Sequence, residues 1–288
     1  MPGHLLCLGF GFCAKALTAD LLTQGWTVTG SARSADKLDA IRSLGATPVI
    51  LNEETPLEDP VWQDVTHLLI SAPPSPLGDP VLTHHKDKII SLKDQLSWIG
   101  YLSTTGVYGN RDGAWVDEGS ALKPTSDRAR RRVEAERQWL ALFHDHQLPV
   151  HVFRLAGIYG PGRNQLVSLK NGKARRIEKP GQMFSRIHVE DVAAILKASI
   201  EQPDPGAIYN VCDDEAAAPA DVVAFAADLL NMPPPPLAKL EDADMSEMGK
   251  SFYNDNKRVR NHKIKKDLGV AFTYPTYREG LRKERERL

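Results

Sequence analysis

The sequence predicts an α/β fold: a doubly wound parallel sheet with helices on both faces, followed by a smaller C-terminal domain. Three observations predict it. Short apolar runs alternate with helical patterns as far as Arg154, the rhythm of a parallel sheet covered on both sides. A glycine-rich turn joins the first run to the first helix. After Gly157 the alternation breaks into a loop containing Gly160, Pro161, Gly162 and Asn164.

The elements follow in order. Leu5–Leu8 reads as a short buried strand, and Ala14–Gln24 as a helix with Leu17, Leu21 and Leu22 on one face and Gly25 at its end. Trp26–Thr29 is the next strand, and Ala35–Leu44 a helix closed by Gly45. Thr47–Leu51, His67–Ser71 and Ile99–Ser103 are further strands, with a helix over Ile89–Ser97 between the last two. Arg128–Phe143 is a long amphipathic helix and Val150–Arg154 the next strand. Beyond Gly157 come a helix near Val192–Ile200, a strand at Ile208–Cys212 and a helix at Pro219–Leu230. Pro233 to Pro236 form an extended linker, and the basic C-terminal end closes in a charged helix. The expected division is a first domain over 1–157, to which 184–205 returns, and a smaller substrate domain from 158–183 and 206–288.

Composition narrows the function classes. Of 288 residues, 42% are apolar, enough for a substantial core. A formal net charge of −1 gives no overall attraction to nucleic acid or anionic lipid. The three cysteines, Cys7, Cys13 and Cys212, cannot all pair and show no metal-ligand spacing. The Met-Pro-Gly-His start lacks a charged leader, and no apolar stretch approaches the ~20 residues of a membrane span. A cytoplasmic chain without metal, membrane or nucleic-acid partner is expected, acting on a small-molecule substrate.

Gly9-Phe10-Gly11-Phe12-Cys13-Ala14 has the form G-x-G-x-x-A between a strand and a helix. The first glycine makes a tight turn and the second admits a pyrophosphate. The small third residue, Ala14, lets helix and strand pack closely. Free N–H groups and the dipole at the helix start attract the phosphates. About twenty residues on, an NAD site places an acidic residue for the ribose. Here the second strand ends Ser31-Ala32-Arg33-Ser34. Arg33 suits a 2′-phosphate, with Ser31 and Ser34 adding hydrogen bonds, so NADP is expected over NAD. Ser71, Ala72 and Pro73 follow the fourth strand, where they can wall the cofactor.

Several ordered motifs then carry a resemblance. They are the glycine turn, Ser103-Thr104-Thr105-Gly106-Val107-Tyr108-Gly109, Asp117-Glu118 with Pro124, Arg154-Leu155-Ala156-Gly157-Ile158-Tyr159-Gly160-Pro161-Gly162, and Ile187-His188-Val189-Glu190-Asp191-Val192-Ala193. Together they resemble the extended and atypical short-chain dehydrogenase/reductases of the NAD-dependent epimerase/dehydratase family, over nearly the whole chain. The resemblance implies a Rossmann-type fold and redox chemistry by a Ser or Thr with a Tyr-x-x-x-Lys pair. Thr104 falls on the Ser/Thr position. Counting from Pro124 places Arg128 at the tyrosine and Arg132 at the lysine, with Glu136 in its expected place.

Arginine does not deprotonate in proteins, so Arg128 is no general acid or base. It can hold an oxyanion or clamp a substrate anion, and Arg132 can still bond the ribose. Tyr108 is the first replacement for proton transfer, ahead of Tyr159 and His188. Two readings follow: an NADP-dependent oxidoreductase or epimerase/dehydratase-like enzyme on a small carbonyl, hydroxyl or nucleotide-sugar substrate, or a non-catalytic NADP(H)-binding sensor. A nucleic-acid binder, suggested by the Arg128–Arg132 run, lacks aromatic interleaving. The helices near Ile89–Ser97 and Arg128–Phe143 resemble the pair that family members use to form homodimers.

Overall fold

The computed structural model describes residues 2–52 and 56–288; Met1 and residues 53–55 of the expected first domain lie outside them. Along the chain run β1 (His4–Leu8), α1 (Phe12–Thr23), β2 (Thr27–Ala32), α2 (Leu38–Arg42), β3 (Thr47–Ile50), β4 (His67–Ile70), α3 (Pro80–Ser91) and β5 (Trp98–Thr104). Then come β6 (Trp115–Val116), α4 (Asp127–His146), β7 (Val150–Leu155), β8 (Gly157–Tyr159), α5 (Gln165–Lys170), β9 (Arg176–Glu178), β10 (Arg186–His188) and α6 (Val189–Glu201). The last elements are β11 (Ile208–Val211), α7 (Pro219–Leu229), β12 (Leu237–Lys239), α8 (Glu247–Ser251), β13 (Arg258–Val259), α9 (His262–Leu268) and α10 (Tyr277–Glu286).

The chain divides into two compact units. The first holds 1–104, 127–154 and 192–209; the second holds 105–126, 155–191 and 210–288. Residues 105–126 were expected in the first domain but group with the second unit. Pairing explains this: β6 runs parallel to β13, and Asn210 takes a hydrogen bond from Tyr108 and gives one to Glu118. Residues 184–191 join the same unit, because β10 pairs in parallel with β8.

A seven-stranded parallel sheet, ordered β11-β7-β5-β4-β1-β2-β3, organises the fold. The order reverses beside β1, which pairs with both β2 and β4. Its central strands are apolar on both faces, as a doubly covered sheet requires. Period-two alternation sends Leu6 and Leu8 of β1 into the core that Trp139 and Leu142 of α4 cap.

Most expected elements fall within three residues of their positions. Two do not. The helix expected over Ile89–Ser97 is α3, which starts at Pro80 and ends at Ser91. Its start is written in Asp79-Pro80: Asp79 caps Val81 and Leu82 N–H at 2.9 and 3.1 Å, and proline takes the first helical position. Asp79 also accepts from Trp139 Nε1 at 3.0 Å. The helix expected over Ala35–Leu44 is a 3₁₀ turn, Ala35–Lys37, followed by the five-residue α2. Only Ile41 of that stretch is buried, so little packing holds more helix there.

In the second unit, α5, α7 and α10 share a core of Leu166, Leu169, Val222, Ala226, Tyr277 and Leu281. A capping box, Thr276 with Glu279, starts α10.

Candidate functional site

The glycine turn leaves β1 where the strand order reverses, the position at which open α/β sheets bind ligands. Gly9 has φ +95°, and a Cβ there would lie 2.7 Å from Ala72 N. The turn is braced from both sides. Gly9 N–H donates to Ser31 Oγ at 2.8 Å, Phe10 N–H donates to Ser31 O at 2.9 Å, and Ser71 Oγ donates to Gly9 O. Gly11 differs. Its backbone is extended with φ −87°, and a Cβ would meet nothing nearer than Ser71 Oγ at 3.8 Å. The fold needs glycine at 9 and has room for a Cβ at 11. Glycine at the N-cap of α1 supplies no side-chain cap, and the first turn carries no acidic residue. Ala14 is fully buried against the sheet.

The other expected cofactor residues take separate places. Ser31 is buried under the turn, because strand alternation points it inward. Ser34 lies beside Asp36 and holds its carboxyl below its usual pKa. Arg33 is exposed just past β2, and its guanidinium has no partner among the described residues. Ala72 packs against the core, Pro73 is exposed, and Phe12 is half-buried.

Thr104 is half-buried at the end of β5. Arg128 is exposed on the first turn of α4. One turn on, Arg132 lies over the Tyr101 ring, with its Cζ 5.5 Å from the centroid. Its Nη1 donates to Tyr101 OH at 3.0 Å and Leu102 O at 2.9 Å. A further turn brings Glu136, which is buried and takes Arg154 in a charge pair at 2.8 Å and the Ser103 hydroxyl. The stripe 128, 132, 136 therefore passes from solvent to core, and its inner end ties α4 to β5 and β7. Sequence reasoning found the stripe but missed Arg154 as its anchor, 18 residues further along the chain.

In the second unit, Tyr108 is fully buried and its hydroxyl donates to Asn210 Oδ1 at 2.7 Å. His188 is fully buried, with Nε2 3.3 Å from Glu284 Oε1 and its ring 4.1 Å from that of Tyr274. Burial lowers the His188 pKa, so its imidazole is neutral at pH 7. Tyr159 packs edge-on to His188, and burial raises its phenol pKa. Both lie in the packing that holds α10. No group of three metal-binding side chains occurs among the described residues, and no helix there is long and apolar enough to cross a membrane.

Residues 93–212 match the NAD dependent epimerase/dehydratase family. Protein YeeZ of Escherichia coli (strain K12) is 30% identical over 282 residues, which span 93% of this chain and 95% of YeeZ. The chain belongs to the NAD-dependent epimerase/dehydratase family. Among solved structures, a conserved protein of unknown function from Silicibacter pomeroyi DSS shares 52% identity at a TM-score of 0.91, over 99% of each chain. The dTDP-glucose 4,6-dehydratase of Bacillus anthracis str. Ames, solved with NAD, superposes at a TM-score of 0.81 over 99% of this chain and 96% of its own. At 18% identity that likeness shows the fold. Within the family pattern, Arg128 and Arg132 stand where the resemblance places tyrosine and lysine.

Proposed function

We propose that the first unit binds a dinucleotide, NADP(H) ahead of NAD(H), and that the chain is an oxidoreductase or epimerase/dehydratase-like enzyme on a small carbonyl, hydroxyl or nucleotide-sugar substrate. The observation that carries this reading is Gly11. The protein's own packing leaves room for a Cβ there, at a helix start whose N-cap is a glycine. A pyrophosphate needs that space and those N–H donors. Gly9, Gly11, Phe12 and Ala14 line the phosphate end, Ser71, Ala72 and Pro73 wall it, and Ser31 braces it. The exposed Arg33 fork beyond β2 supports a 2′-phosphate contact, with Ser34 orienting the loop through Asp36. The neighbour solved with NAD supports the cofactor class.

Bound nicotinamide would supply hydride transfer, and the protein orients and stabilises charge. Thr104 and Arg128 would bind the substrate oxygen. Among the described residues Arg132 uses only Nη1, on Tyr101 and Leu102, which leaves Nε and Nη2 to bond the ribose. Tyr108 is bonded to Asn210, so it donates a proton only if that bond opens. This last observation favours a second reading, a non-catalytic NADP(H)-binding sensor. Turnover separates the two. A panel of sugar nucleotides, aldehydes and alcohols is assayed by NADPH absorbance with the parent chain and Arg128→Tyr. General acid catalysis contributes about 10²–10⁴-fold, so slow turnover in the parent, raised in Arg128→Tyr, is expected of the enzyme. Tight NADPH binding with no turnover in either chain would leave the sensor. A chain cytoplasmic in the cell and paired as a homodimer through α3 and α4 fits either reading; light scattering showing only monomer would remove the dimer.

A further inference from the structure

The second unit holds an arginine and a carboxylate that are neighbours in the fold without forming an ion pair. Asp213 N–H donates to Arg186 O at 2.6 Å, so the two residues are direct main-chain neighbours. Asp213 is 3% exposed. Its Oδ1 accepts from Glu215 N–H at 3.2 Å, while the buried Oδ2 has no partner among the described residues. The Arg186 guanidinium is half-buried and held by one nitrogen: Nη1 donates to Phe184 O at 2.8 Å and Ala217 O at 3.2 Å. Its Nε and Nη2 donate to nothing among the described residues, and no ion pair with Asp213 forms within 4.0 Å. Their attraction is nonetheless the leading charge interaction at each group. Beside them, Tyr253 packs edge-on to Phe184 at 5.3 Å, and its hydroxyl makes no hydrogen bond among the described residues.

An unpartnered buried carboxylate oxygen is costly, and the remaining nitrogens of the half-buried Arg186 are open to a ligand. A molecule that bonds both would relieve that cost. Arg186 offers a fork that fits a carboxylate. Asp213 Oδ2 asks for a hydrogen-bond donor. A phosphate dianion would bring two negative charges to a single guanidinium in a buried setting. A carboxylate with a hydroxyl on the next carbon presents the right charge to one side and a donor to the other.

We propose that Arg186 and Asp213, flanked by Tyr253, form a binding site for the hydroxy-carboxylate group of a small acid. The site lies in the second unit alone and goes beyond the dinucleotide reading; it stands whether or not the first unit binds NADP(H).

The test uses the full chain without nucleotide, titrated by NMR with lactate, propionate, 1,2-propanediol, L-alanine and inorganic phosphate. Lactate is expected to bind best. Propionate lacks the donor to Asp213 and 1,2-propanediol lacks the carboxylate. Each loses a hydrogen bond to a charged group, so each should bind about tenfold or more weakly. Alanine's ammonium would require Asp213 ionised in a buried setting and should also bind more weakly. Arg186→Gln should lose lactate binding, and Arg186→Lys, which keeps the charge but not the fork, should lose most of it. If Arg186→Gln fails to fold, the ligand series on the native chain decides alone. No lactate binding, equal binding of lactate and propionate, or tighter binding of alanine or phosphate would each overturn the proposal. A parallel NADPH titration reports the first unit separately.

Discussion

Each unit contains a buried meeting of arginine and carboxylate, and the two are built differently. In the first, Arg154 closes on Glu136 at 2.8 Å, and Ser103 donates to the same carboxylate. In the second, Arg186 and Asp213 stay apart, and Asp213 Oδ2 is left without a partner among the described residues. Burying charge is tolerated where every hydrogen bond is made, and then the pair fixes packing. Where the bonds are incomplete, burial is a standing destabilisation that a ligand can relieve. The closed pair holds the fold, and the open one points to binding.

The largest effect should come from breaking the closed pair. Glu136→Ala leaves Arg154 buried and unpaired, and should cost about 3–5 kcal/mol in urea unfolding. A loss under ~1 kcal/mol would mean that the pair is as dispensable as a surface bridge.

Acid sharpens the same contrast, because the first unit also buries histidines as neutral rings. Burial lowers both His67 and His151 to about 4. Asp204 N–H donates to His151 Nε2 at 2.9 Å, a bond only the unprotonated nitrogen accepts. A folded pKa below the unfolded ~6.5 means that the unfolded chain takes up protons first. The stability from these rings is whole above ~6.5 and is lost as pH falls toward 4. One pKa unit is about 1.4 kcal/mol, so two such rings predict a loss of several kcal/mol. Melts of His151→Gln that keep the parent's full pH slope would exclude that ring.

The open pair should respond with the opposite sign. Burial raises Asp213 well above the usual carboxylate range, offset in part by Arg186 and reinforced by Asp214 and Glu215. An acid raised on folding is a cost above its unfolded pKa of ~3.9, because the unfolded chain releases the proton more readily. Asp213→Asn should therefore raise the melting temperature at pH 7, with the gain fading toward pH 4. A drop at pH 7 would make Asp213 a stabilising group and remove the contrast.

The smallest effect separates two glycines of one turn. Gly9→Ala puts a side chain on Ala72 N at a positive φ and should destabilise the fold. Gly11→Ala has room and an ordinary φ, and should melt within about 1 kcal/mol of the parent.

The sheet was legible because its strands are continuous apolar runs, and the turn because G-x-G-x-x-A sits between strand and helix. Helix α3 was misplaced for a local reason. Ile89 and Ile90 were read as its beginning but lie in its last turn, while the Asp79-Pro80 start went unread. The separate roles of Ser31 and Arg33 were hidden because both lie near the end of one strand, and only the register with Gly9 distinguishes them. Arg186 and Asp213 carried no signal at all. They lie far apart in sequence and meet through a main-chain hydrogen bond that no spacing announces.

The most direct measurement is a fluorescence titration of NADPH and NADH into the parent chain, Gly11→Ala and Arg33→Ala. The parent should bind NADPH tighter than NADH by about 1.5–3 kcal/mol, one charge-assisted contact. Arg33→Ala should remove that difference, and Gly11→Ala should remain folded and lose both nucleotides. Equal binding of both nucleotides, unchanged in Arg33→Ala, would contradict the NADP assignment, and undiminished binding by a folded Gly11→Ala would contradict the site itself.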